Sequence, residues 1–354
     1  MKPIVLMHPY VPEEAITAVS AVLRTRWIGQ GPKVEEFEQC FSGRMGGRAA
    51  IAVGSGTDAL HLAYTLAGIK SGDEVLSPLF TCTATNLPLL WMGAKIRFVD
   101  VARGSLNVDL RQMSTMVTER TRAAVIVHYA GSSVRNYVDG WGPDLTLVED
   151  AAQALGAEWL GRADYSCFSF QAVKHVTTGD GGMVLVPDEK AGEARRRRWF
   201  GIDREAKLKG VWANDITEIG YKYQMTDIAA AMGLAGMQKL TEQMTCRRHM
   251  LGIYRERLEG VPGIELIDAD PEGAAWLATV LVDRREDLKR KLAERKIESD
   301  QVHYRNDRYS IFSVSEGEFP NMDAVDSKYL CLPLHMHMDA GDVHRVCDVI
   351  RSGW

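Results

Sequence analysis

Paired cysteines, long apolar runs and an excess of positive charge are all missing from this sequence. The six cysteines are scattered without a CxxC pair, which fits reduced thiols better than a disulfide framework or a zinc site. No stretch approaches ~18 uninterrupted apolar residues, and the N-terminus lacks the apolar segment of a signal peptide. These absences predict a cytoplasmic protein with no membrane segment and no metal site.

The charge and composition narrow the class of protein further. The net charge is −5 at pH 7, so no global basic field attracts nucleic acid, and a nucleic-acid-binding function is disfavoured. The chain has 354 residues, of which 46% are hydrophobic and 25% are charged, as is typical of globular proteins. At roughly 100–200 residues per domain, this length predicts two domains.

The sequence does contain an acid and a lysine that each follow a short apolar run. Leu145–Val148 is typical of a buried strand and leads into Glu149 and Asp150, whereas Cys167–Phe170 leads to Lys174 in a Thr- and Gly-rich turn. Such a pair at strand ends fits a pyridoxal phosphate (PLP) site, where the amine forms a Schiff base and the acid keeps the pyridine nitrogen protonated. Taken singly, each residue is more often a helix cap or a surface charge.

Short β-rich runs alternate with helical intervals through the first half of the chain. This alternation predicts βαβ units and a mostly parallel sheet, hence an α/β fold. Ligands of such sheets bind beyond the carboxyl ends of the strands, which is where the pattern places Asp150. The runs are Ile51–Val53, Glu74–Pro78, Ile96–Val101, Ala123–Tyr129 and Leu145–Asp150.

A glycine turn joins the first of these strands to an apolar helix predicted over residues 59–67. Strand, glycine turn and helix start together aim backbone N–H groups and the positive end of the helix dipole at an anion. The turn is neither a GxGxxG nor a P-loop motif, so nucleotide binding is not supported. We therefore expect a phosphate seat at Ser55, Gly56 and Thr57, the alternative being an ordinary capped helix.

The central stretch resembles the DegT/DnrJ/EryC1/StrS family of sugar aminotransferases, which are PLP enzymes of fold type I. The resemblance is carried by EDAAQ from Glu149, by FSF from Phe168 and by K-x-x-T-T-G-D-G-G from Lys174. Further similar segments occur in the same order: WIGQGPK from Trp27, SGTDAL from Ser55, VHY from Val127 and GYKYQM from Gly220. The similarity is good over roughly residues 10–260 and looser in the remainder.

The resemblance implies an architecture. It predicts a three-layer large domain around a mostly parallel sheet in residues 1–240, with an N-terminal helix and an active-site loop. A smaller α+β domain is expected in residues 241–354, where Cys246–Leu258 and Arg285–Arg295 are predicted as long charged helices.

The resemblance also implies roles for single residues of the central stretch. Lys174 matches the Schiff-base lysine, which can then move a proton between donor and cofactor as a general base and acid. Asp150 matches the partner of the pyridine nitrogen, Gln153 the residue beside the ring hydroxyl, and Ser169 a phosphate ligand.

Two positions depart from the family pattern. Cys82 stands where many members have an aromatic residue that stacks on the PLP ring, and a small packed residue is the alternative. Lys222 stands where the family usually has an asparagine that reaches across the dimer to the PLP phosphate. A lysine can contact a phosphate there as a point charge.

Substrate contacts are expected in three loops. Trp27 belongs to a Gly-rich loop that lies over the active site in the family, the alternative being a cover for apolar surface. Arg204 ends the segment WFGIDR from Trp199, which resembles a segment near the partner subunit in the family. His303, Tyr304 and Arg305 offer groups for phosphate binding and stacking, the alternative being a solvated loop.

Two further helical patterns predict packing. Ile16, Val19 and Leu23 recur at helical spacing, which predicts a core-facing side. Glu193–Arg198, EARRRR, predicts the solvated face of another helix.

The family resemblance implies a homodimer whose sites are completed by the partner, with L-glutamate as donor and a nucleotide-linked 4-keto-6-deoxyhexose as acceptor. One alternative is an aminotransferase for another keto-sugar or phosphorylated ketone, suggested by Cys82, Lys222 and the HYRND segment from His303. Another is a sugar dehydratase, which carries histidine at the position of Lys174 and is therefore disfavoured. A third is a catalytically idle relative that binds a nucleotide sugar, which the Asp150–Lys174 pair argues against.

Overall fold

Two β-sheets, one of seven strands and one of three, organise the part of the chain that the structure describes. The computed structural model describes residues 2–137, 141, 145–213, 215–312 and 317–354. Its strands are β1 (Ala49–Val53), β2 (Glu74–Pro78), β3 (Phe80–Thr81), β4 (Lys95–Val99), β5 (Thr121–Val127), β6 (Thr146–Asp150), β7 (Tyr165–Ser169), β8 (Gly182–Val186), β9 (Ile264–Ile267), β10 (Ala278–Val282), β11 (Tyr304–Arg305) and β12 (Tyr329–Leu332). Seven of these described strands form one sheet in the order β1-β8-β7-β6-β5-β2-β4, and β12-β10-β9 form a second.

The larger sheet is mostly parallel. Strands β4, β2, β5, β6 and β7 pair in parallel, whereas β8 runs antiparallel between β7 and β1. Strands β5 and β8 are almost entirely buried and read as continuous apolar runs, because both faces of the sheet are covered. The predicted α/β fold with a mostly parallel sheet is confirmed.

Helices cover both faces of this sheet and so produce three layers. On one face α3 packs against Val125 and Val148, and on the other α2 and α8 pack around Phe168. Among the described residues, no helix is both long enough and apolar enough to cross a membrane. The helices are α1 (Glu13–Val22), α2 (Pro32–Arg44), α3 (Gly56–Leu66), α4 (Thr83–Trp91), α5 (Leu110–Thr115), α6 (Ala191–Arg198), α7 (Arg204–Leu208), α8 (Asp227–Leu258), α9 (Arg285–Glu294), α10 (Pro320–Val325) and α11 (Ala340–Arg351).

Helix α8 connects the two sheets. It begins at Thr226, whose side chain accepts a hydrogen bond from the backbone N–H three residues later at 3.2 Å. Its first half contributes Leu240 to the cluster under the large sheet, and its second half contributes Leu251 to the cluster under the small sheet. The helix predicted over 246–258 is thus the second half of a longer one. The predicted boundary at 240–241 falls inside it, and the division into two domains stays a prediction.

Helix α1 does not follow the predicted packing. Ala15 and Val22 are buried, whereas Ile16 and Leu23 are 56% and 58% exposed. The core face predicted from periodicity is therefore wrong for Ile16 and Leu23. Periodicity detects an apolar stripe but does not identify the surface that covers it, and within one chain this stripe faces outward.

The basic run that ends α6 is not wholly solvated. Arg198 is 4% exposed, forms a 2.5 Å ion pair with Glu38 and donates a hydrogen bond to the Ala52 carbonyl at 2.9 Å. Glu38 in turn accepts from the Ala52 N–H at 2.9 Å. Because β1 is an edge strand, these side chains satisfy backbone groups that the sheet leaves unpaired. The solvated-face prediction is therefore wrong for Arg198.

A short ribbon carries the C-terminal part of the chain back to the large sheet. In it β11 pairs with β3, so that Tyr304 lies opposite Thr81 and Arg305 opposite Phe80. The ribbon brings His303 to the edge of the sheet at which β6 and β7 end.

Candidate active site

Asp150 ends β6 in a nearly closed environment, with 5% of its surface exposed. Its Oδ2 accepts a hydrogen bond from Thr85 Oγ1 at 2.7 Å, and its Oδ1 accepts one from the Ala152 N–H at 3.1 Å. Thr85 Oγ1 lies 2.8 Å from Thr81 Oγ1. Burial raises the pKa of Asp150, although these hydrogen bonds and the charge of Lys174 oppose that rise. The carboxylate is therefore held in one orientation at the carboxyl edge of the sheet.

Lys174 reaches the same edge from the turn after β7. Its N–H donates to the Gln171 carbonyl at 2.9 Å, and its Nζ lies 3.8 Å from the centre of the Trp276 indole. Loss of hydration lowers the pKa of Lys174 to about 8, while the charges of Cys82 and Asp150 act in the opposite direction. The structure thus brings Lys174, Asp150 and Cys82 into one electrostatic neighbourhood. Cys82 occupies the position just before α4.

Gln153 and His303 complete this cluster. Gln153 Oε1 accepts a hydrogen bond from the Ala130 N–H at 2.8 Å, and its Nε2 lies 3.1 Å from His303 Nε2. Because the amide nitrogen donates, His303 Nε2 is the acceptor and its ring is neutral. Burial lowers the pKa of His303 to about 3, which agrees with that assignment. The imidazole stacks on Trp276 with centroids 5.9 Å apart and planes 20° from parallel.

A cradle of small residues lies at the start of α3. The Ser55 side chain accepts a hydrogen bond from the first turn of the helix at 3.0 Å. A Cβ on Gly56 would lie 2.8 Å from the Ser169 Cβ, and one on Gly182 would lie 2.2 Å from the Ser55 carbonyl oxygen, so both positions need glycine. The N–H groups of Gly56 and Thr57 and the Ser169 hydroxyl are therefore close together, an arrangement suited to a phosphate.

Two of the predicted residues lie outside this cluster in the single chain. Lys222 is exposed, and its Nζ lies 5.4 Å from the Phe200 ring centre. Arg204 donates a hydrogen bond to the Gln30 carbonyl at 2.6 Å and lies 5.2 Å from the Trp199 ring centre. Burial and the neighbouring Arg198 lower the pKa of Arg204.

Trp27 also lies away from Lys174. It lines a groove of about 370 Å³ between α1, α2 and α8. The loop that carries it is tied to α8 by the Asp227 carboxylate, which accepts hydrogen bonds from the N–H groups of Gly31 at 2.7 Å and Val34 at 3.1 Å. This placement matches the alternative role of Trp27 as a cover for apolar surface, and a contact to substrate stays a prediction.

The loop after His303 is held by its own charges. The Arg305 guanidinium forms two hydrogen bonds of 2.7 Å with the Asp307 carboxylate. The Arg308 guanidinium lies over the Tyr304 ring, with its central carbon 4.4 Å from the ring centre. Arg305 is therefore already neutralised within the loop, whereas His303 faces Gln153 and Trp276.

Sequence reasoning missed two residues of the cluster. Thr85, which donates a hydrogen bond to Asp150, lies in a Thr-rich segment. The sequence alone does not show which of its hydroxyls reaches the site. Trp276 is a lone aromatic residue in an apolar run and carries no motif. A short apolar run with one tryptophan predicts a buried strand and nothing more.

The cluster meets the requirements of pyridoxal phosphate. It offers an amine of lowered pKa, a buried carboxylate for a ring nitrogen, and a glycine-lined phosphate cradle that an added Cβ would fill. Among the described residues, no group of three His, Cys, Asp or Glu is arranged to hold a metal ion. Together with the sheet order, these features define a PLP-dependent enzyme of fold type I.

Comparison with known proteins agrees with that class. The family model of the DegT/DnrJ/EryC1/StrS aminotransferases matches residues 9–351, and the chain belongs to that family. A UDP-4-amino-4-deoxy-L-arabinose–oxoglutarate aminotransferase of Shewanella sediminis is 33% identical over 375 residues, which cover 98% of this chain and 96% of the relative.

Two solved structures share the fold over essentially the full length. AtS13 from Actinomadura melliaura is 36% identical with a TM-score of 0.93, covering 100% of both chains. The sugar aminotransferase CalS13 from Micromonospora echinospora is 32% identical with a TM-score of 0.91, covering 99% of both chains. The predicted family, fold type, cofactor and enzyme class are confirmed: the chain is a PLP-dependent sugar aminotransferase.

Proposed function

We propose that this enzyme moves the amino group of L-glutamate to the keto carbon of a nucleotide-linked deoxysugar. The favoured acceptor is a 4-keto-6-deoxyhexose. The observation that carries the proposal is the convergence of Lys174 and Asp150 beside the phosphate cradle of α3. Bound there, pyridoxal phosphate supplies the electron sink for exchanging an amine with a ketone. The UDP-sugar in the name of the Shewanella relative supports a nucleotide-linked acceptor.

Lys174 moves the proton in this proposal. With a pKa of about 8, roughly one lysine in ten is neutral at pH 7, and the protonated form remains available. A group with such a pKa can both remove a proton from the donor carbon and return one to the acceptor carbon. Burial in the pocket is the cause of this property, since a hydrated lysine is almost entirely protonated at neutral pH.

The neighbouring residues position the cofactor. Asp150, oriented by Thr85, would pair with the ring nitrogen, and Gln153, held by the Ala130 N–H, would lie beside the ring hydroxyl. Cys82 would lie next to the ring in the place of an aromatic residue. The phosphate would be held at the start of α3 and by β7, through Ser55, Gly56, Thr57 and Ser169, which the close approach of Gly56 to Ser169 brings together.

The acceptor sugar contacts the segment around β11. His303 accepts a hydrogen bond from Gln153 beside Lys174, so this neutral imidazole is well placed to contact a sugar hydroxyl. Tyr304 adds an aromatic ring beside it, and Arg305 keeps the loop in shape through Asp307. Trp27 and Arg204 serve the site of the partner subunit, since neither reaches Lys174 in its own chain.

A homodimer with shared sites would account for several exposed apolar side chains of the chain. Trp212 and Ile219 are 78% and 75% exposed, and Ile16 in α1 and Leu23 directly after it are also exposed. In the dimer, Lys222 reaches the phosphate of the partner's cofactor as a point charge. The six cysteines are free thiols, which supports a cytoplasmic location.

The visible absorption spectrum of the purified protein tests the amino-transfer half-reaction. We expect a band in the PLP-loaded protein that disappears when L-glutamate is added, and no such band in Lys174→Ala. A screen of keto-sugar nucleotides with the glutamate-treated enzyme then identifies the acceptor. If the PLP-supplemented wild type shows no band, the cofactor site is inactive, and a sugar-nucleotide-binding protein without catalysis becomes the better description.

Mixing two inactive variants tests the shared site. A dimer of Lys174→Ala with Lys222→Glu contains one site with both native residues, so activity should return when the two proteins are unfolded and refolded together. Each variant refolded alone is the matched control. Activity that does not return, with mixed dimers present, contradicts the role of Lys222 in the partner's site.

A further inference from the structure

Trp276 is held beside Lys174 from several directions. Its backbone N–H donates to the Ala130 carbonyl at 2.9 Å, and its indole Nε1 donates to the Val173 carbonyl at 3.0 Å. The His303 ring stacks on the indole, and only 3% of the tryptophan is exposed. Because Val173 directly precedes Lys174, the indole is tied to the same turn that carries the lysine.

The backbone that holds Trp276 adopts an uncommon conformation. Ala130 has a φ of +59° and Gly131 one of +83°, and the left-handed region is unfavourable for alanine because its Cβ crowds the following carbonyl. A Cβ on Gly131 would lie 3.0 Å from the Trp276 nitrogen. The turn aims the N–H of Ala130 at Gln153 and its carbonyl at Trp276. Such a conformation persists only where the surrounding structure enforces it, and here it orients two residues of the site.

The indole face is a binding surface for a cation. At 3.8 Å from the ring centre, the Lys174 ammonium lies where the negative face of the ring attracts positive charge, and the neutral amine gains little from it. The attraction is strong in this pocket, because little water competes for the ammonium. Trp276 therefore stabilises the protonated lysine against the loss of hydration, which favours the neutral form.

We infer that Trp276 is a positioning residue for Lys174, whose indole face holds the lysine ammonium beside Asp150 whenever the lysine is not bonded to the cofactor. The role of Lys174 in amino transfer rests on the proposed function, whereas the contact belongs to the chain itself. Without this contact, the released side chain would be free to leave the position from which it moves a proton.

The charged and titratable groups around Lys174 set the direction of the expected effect. Asp150 faces it from β6, Cys82 from the start of α4, and His303 from the segment before β11. Asp150 and Cys82 favour the ammonium, as the indole does, and the neutral His303 contributes no charge. Removal of the indole should therefore lower the pKa of Lys174 further, and the free lysine would be neutral more often at pH 7.

Reductive methylation of the cofactor-free protein measures this pKa without relying on activity. The labelling rate of the Lys174 peptide, followed by mass spectrometry from neutral to alkaline pH, rises as the amine loses its proton. We expect Trp276→Leu to move the midpoint down by about one pH unit, and Trp276→Phe to move it less, because phenyl is the weaker cation-binding face. Trp91→Leu is the matched control, since that tryptophan is 59% exposed, and should leave the midpoint unchanged.

The outcomes separate this inference from the proposed function. Equal midpoints in wild type, Trp276→Leu and Trp276→Phe, all with the same circular dichroism spectrum, would overturn it. If Trp276→Leu does not fold, Trp276→Phe decides alone, because it keeps a ring in place and removes only the Nε1 bond and part of the attraction. A shifted midpoint in a protein that does not react with glutamate would leave the contact established and the proposed glutamate donor refuted.

Discussion

Two acids end the same strand and face opposite sides of the large sheet. On one side, Glu149 lies in a closed network with no exposed surface. On the other side, Asp150 lies in the pocket with Thr85 and Lys174. Because successive side chains of a strand point to opposite faces, neighbours in sequence occupy different chemical environments.

The Glu149 network satisfies each of its members. Oε1 of Glu149 accepts hydrogen bonds from His128 Nε2 at 2.8 Å and from the Tyr137 hydroxyl at 2.7 Å, and Oε2 accepts from the Gly161 N–H at 2.8 Å. The Val134 N–H donates to His128 Nδ1 at 2.9 Å, which places the ring proton on Nε2. The carboxylate therefore has donors on both oxygens.

The two environments shift the pKa values of the two carboxyl groups in opposite directions. Burial alone raises the pKa of Glu149, but the hydrogen bonds from His128 and Tyr137 outweigh it and hold that pKa below its usual range. Burial dominates at Asp150, so its pKa is raised. A carboxylate whose partners all belong to the chain supports the fold. A carboxylate that lacks some of its hydrogen-bond donors inside a pocket is suited to binding a ligand.

Glu149→Ala should produce the largest effect. It leaves the His128 and Tyr137 donors and the Gly161 N–H buried without an acceptor, and we expect the free energy of unfolding to fall by roughly 3–5 kcal/mol. Urea unfolding followed by circular dichroism measures the change.

Glu149→Gln is the matched control, because its amide oxygen still accepts hydrogen bonds. The group has a lowered pKa in the folded state, so its contribution is present above the pKa of the unfolded chain and is lost as pH falls through the folded value. Glu149→Gln should therefore weaken the dependence of stability on acid pH. Equal stability of wild type and Glu149→Ala would show that the network does not support the fold.

Asp150→Asn should reverse this pattern, with a loss of activity and little change in stability. The asparagine keeps the shape but loses the charge that is proposed to pair with the cofactor ring, and we expect amino transfer to slow by about a hundredfold. A carboxyl with a raised pKa lowers stability as pH rises through that pKa, so the variant should be as stable as wild type, or more so, at neutral pH.

Single-turnover rates with glutamate and unfolding curves, measured on the same Asp150→Asn preparation, test both parts of this prediction. Thr85→Val is the companion variant, since it retains the carboxylate and removes the hydroxyl that orients it at 2.7 Å. Full activity in Asp150→Asn would mean that Asp150, like Glu149, supports the fold and has no role in catalysis.

The pair Asp150 and Lys174 was predictable from sequence because the rule behind it is local. Parallel strands end at one edge of a sheet, so residues that follow two neighbouring strands meet there. The glycine turn before α3 was predictable for the same reason, since its geometry lies within a few consecutive residues. Neither prediction required knowledge of distant contacts.

Residues that act through distant contacts were not predictable. Trp276 meets Lys174 only because the chain returns to the large sheet about a hundred residues later, and no periodicity carries that information. Arg198 appeared solvated because the position of Glu38, which pairs with it, is set by the packing of α2 against the edge strand. The predictions for Ile16 and Leu23 failed for a related reason, because the spacing of apolar residues does not show which surface, if any, packs against them.

Cys82→Tyr should give the smallest effect of these variants, a change in PLP affinity. It tests whether the Asp150 side of the sheet has space for an aromatic ring beside the cofactor. An aromatic ring stacked on the cofactor is worth about 0.5–1.5 kcal/mol, so the variant should bind PLP a few-fold more tightly than wild type. Titration of the cofactor-free protein, followed by absorbance, measures the affinity. Cys82→Ser, which matches the size of the thiol, should bind as wild type does. Weaker binding by the tyrosine variant would show that Cys82 is a packed residue with no space for a ring, and that the Asp150 side is as tightly filled as the Glu149 side.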